Sequence, residues 1–178
     1  MRNLALTIVV TLMLAGCVPS APSASPTPEP STTPVFASEE EALAAAEEAY
    51  AVYVALADQI FKEGGADPER LSEVATGTFL EATVEGFRQS QIEGLQSTGG
   101  TVFRNATLQM YSPESAPLEV VSIYVCEDIS AVDVVDASGR SVVSPDRPDT
   151  TVFQAIFDLS ADGNLLLSSR EVWKNEPC

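Results

Sequence analysis

Apolar residues recur along the chain in several rhythms, and each predicts a different kind of segment. A largely apolar run covers Leu4 to Leu14. From Ser38, "SEEEALAAAEEAYAVYVALADQIFKEGG" places Leu43, Tyr50, Val54, Ala57 and Phe61 at three-, four- and seven-residue steps, flanked by Tyr53 and Ile60, with Glu48 and Lys62 opposite. That spacing predicts an amphipathic helix. Ser38 and Glu41 have capping-box spacing, acidic residues fill the first turn where the helix dipole favours them, and Gly64-Gly65 ends the helix. Asp67-Pro68 predicts an N-cap with proline in the first helical position, opening a short helix through Val74. A third helix is expected over Phe79 to Leu95, weakened by Gly86 and Gly94.

Beyond Thr98-Gly99-Gly100 the rhythm shortens to the two-residue alternation of strands. Strands are predicted at Val102 to Met110, Leu118 to Glu127, within "ISAVDVVDASGRSVV", and in "TTVFQAIFDLS" and "LLLSSREVW", with Asp162-Gly163 as the hairpin turn between the last two. Helices followed by an antiparallel meander predict an α+β fold, with the N-terminal helices packed on a curved sheet.

The first apolar run has 11 positions, too few to cross a bilayer, and follows Met1-Arg2 as the core of a secretory signal does. It leads into Leu14-Ala15-Gly16-Cys17, which resembles the bacterial lipobox at all four positions; the resemblance implies that Cys17 is lipidated and becomes the first residue of the mature chain. Residues 18–37 hold Pro19, Pro22, Pro26, Pro28, Pro30 and Pro34 among Ser, Thr and Ala. They bury too little apolar surface to offset ordering, and are expected to be a disordered, extended spacer with a reach of about 60 Å. The expected organisation is therefore signal peptide 1–16, lipidated cysteine and linker 17–37, and one α+β domain 38–178.

Charge narrows the partners. The 178 residues include 26 acidic and 9 basic side chains, for a net charge of -17. Clustered Lys and Arg are missing, which argues against nucleic acid and against electrostatic adhesion to anionic lipid. The membrane is expected as a partner only through the N-terminal lipid. There is no histidine, so His-based triads and imidazole general bases are excluded. With Cys17 assigned to lipid, Cys126 and Cys178 in an exported protein most simply form one disulfide. Closing that loop would stabilise the fold by about 4 kcal/mol in the chain-entropy account. The alternative, a redox pair, lacks both CxxC spacing and a neighbouring base to lower a thiol pKa.

The order of elements resembles a known group. A long helix carrying AxxAYxxYV (Ala46 to Val54), a helical turn beginning "DPERL" (Asp67 to Leu71) and a terminal sheet ending "EVWKNEPC" resemble actinobacterial lipoproteins of the cone-shaped, cystatin-like α+β superfamily named after nuclear transport factor two. That superfamily also contains ketosteroid isomerases and SnoaL-like proteins. The resemblance covers residues 38–178 and implies a pocket between the first helix and the concave sheet. Tyr50, Tyr53, Phe87, Tyr124 and Trp173 are the large residues expected near it, although helical spacing alone would also make Tyr50 simply core. It further implies dimerisation through the outer sheet face.

The function expected is that of a non-catalytic binding or interaction module on the extracytoplasmic face, for a small apolar ligand or an envelope protein. The rival is a small cofactor-free isomerase or hydratase, needing an acid of raised pKa beside a tyrosine; Asp58, Asp128 or Asp133 with Tyr50 or Tyr53 are the candidates. No isomerase catalytic motif is recognisable, so no catalytic residue is carried over. No cofactor and no metal are expected: "SPDRPD", "DASGRS" and "SADGN" each fall short of a calcium loop and read as turns.

Overall fold

The computed structural model describes residues 34–174 and 178. Cys17, the signal segment and nearly all of the expected spacer lie outside them. Helix α1 spans Glu39–Lys62, with the Ser38 hydroxyl accepting from the Glu41 N–H and the Glu41 carboxylate accepting from the Ala37 N–H. The Ser38 half of the predicted box is formed, and the return bond of Glu41 goes to Ala37, one residue before the N-cap. Its buried face is Ala42, Ala46, Tyr50, Tyr53, Val54 and Ile60, so small alanines carry the N-terminal half of the stripe. Leu43 and Phe61 are only half-buried. Just upstream, Phe36 packs on Tyr111, exchanging backbone hydrogen bonds of 2.8 Å with its hydroxyl.

A 3₁₀ helix, Pro68–Glu73, follows instead of an α-helical turn. Asp67 caps it with its backbone: at φ 47° its carbonyl accepts from the Arg70 N–H and Nε, and its side chain makes no capping bond. Helix α2 spans Gly77–Glu93, beginning two residues before the expected Phe79, and Gly94 closes it in the left-handed region at φ 69°.

Strands β1 (Gln96–Thr98) and β4 (Asp133–Val135) pair antiparallel as a small separate ribbon. Strands β2 (Val102–Tyr111), β3 (Val121–Asp128), β5 (Thr150–Leu159) and β6 (Leu165–Lys174) form a four-stranded antiparallel sheet in the order β2-β3-β5-β6. β3 begins at Val121, three residues later than expected, because Pro113–Ser115 forms a 3₁₀ turn and Glu119 sits at φ 51°. The β5–β6 turn is the expected Asp162-Gly163, with Gly163 at φ 84°. The architecture is the predicted α+β layout, cone-like, with helices against one sheet face.

Four bulges bend that sheet. β2 carries two: one extra residue between Arg104 and Thr107, where Asn105 takes φ 55°, and Gln109 between Leu108 and Met110, which pair with Ile123 and Ser122. β6 carries two: Ser168, where its partners step from Leu167 to Ser169 opposite Phe157 and Ile156, and Trp173, between Val172 and Lys174. Each bulge increases local twist and resets which face the following side chains occupy. The core lies between α1 and the inward residues Val121, Ile123, Val125, Ala155, Phe157 and Leu167, all fully buried. On the other face Cys126 and Cys178 are joined, with their Cα atoms 5.9 Å apart.

Candidate functional site

Strand β3 alternates Val121, Ile123, Val125 on its inner face, and the next inward position is Glu127, 5% exposed. A carboxylate there needs compensation. It comes from β6: without the Ser168 bulge the alternation from Leu165 and Leu167 would turn Arg170 outward, and with it Arg170 pairs in register with Ala155 and faces in. The Ser168 hydroxyl fastens the bulge to the Ile156 carbonyl at 3.2 Å.

Arg170 sets its fork on Glu127. Its Nε donates to Oε1 at 3.0 Å and its Nη2 to Oε2, a charge-assisted bidentate pair. Tyr50, on α1, donates its hydroxyl to the same Oε1 and accepts from Arg170 Nε at 3.1 Å. Phe153 supports the guanidinium from beneath, its ring centroid 3.5 Å from Cζ. Phe103 meets Tyr50 edge-on at 5.2 Å.

Burial pushes the Tyr50 phenol well above its ordinary range, and neighbouring Glu127 adds to the effect over the opposition of Arg170. Burial likewise pushes Tyr53 up to about 12. Both tyrosines are therefore uncharged donors at physiological pH. For Arg170, burial works against the cation, but the oxygens of Tyr50 and Glu127 outweigh it and raise its pKa. The guanidinium remains charged.

This network forms one end of a cavity of about 390 Å³. The apolar lining is Tyr53, Phe61, Phe87, Ile129 and Phe153, from α1, α2, the residue after β3 and β5; Asp58 and Thr101 also line it. Tyr53 and Arg170 both line it, and no described residue accepts from the Tyr53 hydroxyl or from Arg170 Nη1.

The expected pocket residues divide between the two sheet faces. Tyr53 and Phe87 line the cavity, and Tyr50 sits behind it in the network. Tyr124 and Trp173 stack on each other at 4.8 Å on the opposite face, where β3 alternation puts Tyr124 and the second β6 bulge puts Trp173. The candidate acids are committed elsewhere. Asp58 accepts from the Thr101 N–H at 2.7 Å and hydroxyl at 2.9 Å; Asp133 accepts from the Val134 N–H at 2.9 Å and Ser141 at 2.6 Å. Asp128 lies on the outer face, held down to about 2 by the Ser130 hydroxyl and by Arg104. The acid that meets a tyrosine is Glu127, the last residue of the predicted strand Leu118 to Glu127 and not one of the candidate acids. In "DASGR", Asp136 accepts from Ser138 and Arg140 as a closed turn. Among the described residues no group of three or more acids or cysteines is placed to hold a metal.

No family model matches the chain, and no curated protein matches it in sequence. Solved structures align with most of its length. The intermembrane-space region of the chloroplast protein ARC6 aligns at 15% identity, TM-score 0.53, over 73% of this chain and 95% of that one. A protein from Catenulispora acidiphila aligns at 18% identity and TM-score 0.47, over 72% of this chain and 88% of that one. Aln2 from a Streptomyces species aligns at 20% and 0.43, over 72% and 87%. At 15% identity the likeness to the ARC6 region is one of fold alone.

Proposed function

We propose that the chain is a lipid-anchored extracytoplasmic module of a bacterial envelope that binds a small, largely apolar ligand without transforming it. The observation that carries this reading is the state of Glu127. An isomerase of the expected kind needs a carboxylate with a free basic oxygen beside a tyrosine, and both Glu127 oxygens are occupied by Arg170 and Tyr50. The cavity beside it falls within the range of small-molecule sites, with apolar walls and few convergent polar groups.

The anchor rests on Leu14-Ala15-Gly16-Cys17 and on the bonded Cys126–Cys178 pair, which suits an oxidising compartment. No described helix is long and apolar enough to cross a membrane. Thermal-shift screening of the chain against phospholipids, sterol-like compounds and cell-wall fragments tests the binding role. Saturable stabilisation by one class, with the ligand recovered unchanged, is the expected result. A flat screen would argue for a protein partner, and chemical conversion of the ligand would overturn the non-catalytic reading. Intact-mass measurement of the chain from its membrane fraction tests the anchor, which an unmodified Cys17 would exclude.

A further inference from the structure

The charge of Arg170 is already committed to Glu127, yet this cavity-lining side chain keeps one nitrogen, Nη1, with no described acceptor. We infer that this cavity selects an uncharged ligand carrying a single hydrogen-bond acceptor, such as a ketone or ester oxygen on an apolar body, and discriminates against the matching carboxylate. The inference rests on the binding reading above and deepens it.

Three observations carry it. Arg170 Nη1 and the Tyr53 hydroxyl are donors with no described acceptor, and both side chains line the same cavity. Neither is a buried unpaired atom, so solvent serves them when the cavity is empty; a ligand that displaces this solvent has to supply an acceptor, because a donor left dry and unpaired costs free energy. The charged side chains on the cavity wall are Arg170, Glu127 and Asp58, one more acid than base. A ligand carboxylate would enter a site whose cation is already neutralised, within a chain of net charge -17, and would shed its hydration without a fresh counter-charge. Finally, Arg170 cannot swing to meet an anion bidentately. Its Nε and Nη2 are held by Glu127, its Nε also by Tyr50, and its plane by Phe153. Glu127 and Tyr50 thus act as positioning residues for a donor with one free nitrogen.

The test uses three small probes with the same phenyl body: benzylacetone (a ketone), hydrocinnamate (its carboxylate counterpart of nearly equal shape) and propylbenzene (no acceptor). Each is titrated into the ¹⁵N-labelled full chain with its disulfide formed, following amide shifts of the cavity residues and the Arg170 Nε signal. Benzylacetone is expected to bind at least about tenfold more tightly than either of the others, a difference of one decade in Kd, and to move the Arg170 signal. In Glu127→Gln the guanidinium regains an uncompensated charge, so hydrocinnamate should gain on benzylacetone. Tyr53→Phe, which keeps the ring in place, should bring benzylacetone closer to propylbenzene. Hydrocinnamate binding the unaltered chain as well as benzylacetone does would overturn the inference and make Arg170 an anion site. Propylbenzene matching benzylacetone would overturn it while leaving the binding role intact. Silence of all three, with no cavity shift, would count against the binding role itself as well.

Discussion

Two neighbours on β3 make the same chemical choice on opposite sides of the sheet. Glu127 turns inward and pairs with Arg170; Asp128 turns outward and pairs with Arg104 at 2.9 Å. The inner carboxylate side chain is 6% exposed and its arginine 23%; the outer pair stands at 25% and 42%. Sequence and strand are shared, so solvent is the variable. In water an ion pair exchanges hydration for a contact of nearly equal worth. Away from water, each partner becomes indispensable to the other, because the survivor is left charged in a poor solvent. The inner pair is consequently fastened by Tyr50 and Phe153 from separate elements, whereas the outer acid is held chiefly by Ser130, two residues along its own chain.

The comparison is broken most directly at the arginines. Arg170→Met strands Glu127 and is expected to cost about 3–5 kcal/mol, read from urea denaturation; Arg104→Met should hardly move the midpoint. Adding Glu127→Leu to Arg170→Met should recover most of the loss, since an apolar pair carries no desolvation penalty. Equal effects of the two arginine changes would mean that burial does not separate the pairs. On the outer face the strong link is covalent. Cys178→Ser opens the loop closed at Cys126 and is expected to cost up to about 4 kcal/mol, measured by the same denaturation under non-reducing conditions. Should that variant match the parent, the cross-link would not be what secures this face.

Much of this was legible in the chain, and the exceptions have specific causes. Helix α1, its Ser38 cap, the Asp162-Gly163 hairpin, the pairing of Cys126 with Cys178 and the α+β order follow from local chemistry and spacing that the tertiary structure does not overrule. The candidate site was only half legible. Tyr53 and Phe87 line the cavity. Trp173 and Arg170 could not be assigned to faces, because each follows or occupies a β6 bulge and a bulge reverses simple alternation. Glu127 carries a readable signal, its even spacing after Val121, Ile123 and Val125. A polar residue at the end of an apolar strand is ordinarily taken for its solvated edge. The acids nominated from sequence failed for a different reason: Asp58 and Asp133 have partners in Thr101, Val134 and Ser141 that composition does not reveal.

Finer probes separate hydrogen bonding from charge. Tyr50→Phe keeps the ring against Phe103 but withdraws one donor from Glu127 Oε1. Losing a hydrogen bond to a charged, buried acceptor should cost about 1.5–3 kcal/mol, less than removing Arg170 because the fork remains. A calorimetric melting series of the two variants would rank them. The reverse order would make Tyr50 the principal support of the carboxylate.

The smallest effect belongs to the outer acid, and pH isolates it. Hydrogen bonds from Ser130 and then Arg104 hold Asp128 at about 2, below the ordinary 3.8. The folded state therefore binds this proton less readily than the unfolded chain, and the resulting stabilisation is complete above the ordinary value. It is lost as pH falls through the folded value. Urea midpoints of the parent and Asp128→Asn should thus differ by a small constant amount above about pH 4, converge between about pH 4 and pH 2, and coincide below. Because the group is exposed, added salt should shrink the Arg104 share of the gap. A gap that persists undiminished at pH 2 would show that Asp128 acts through shape and hydrogen bonding alone, and the contrast between the two faces would then rest on the inner pair.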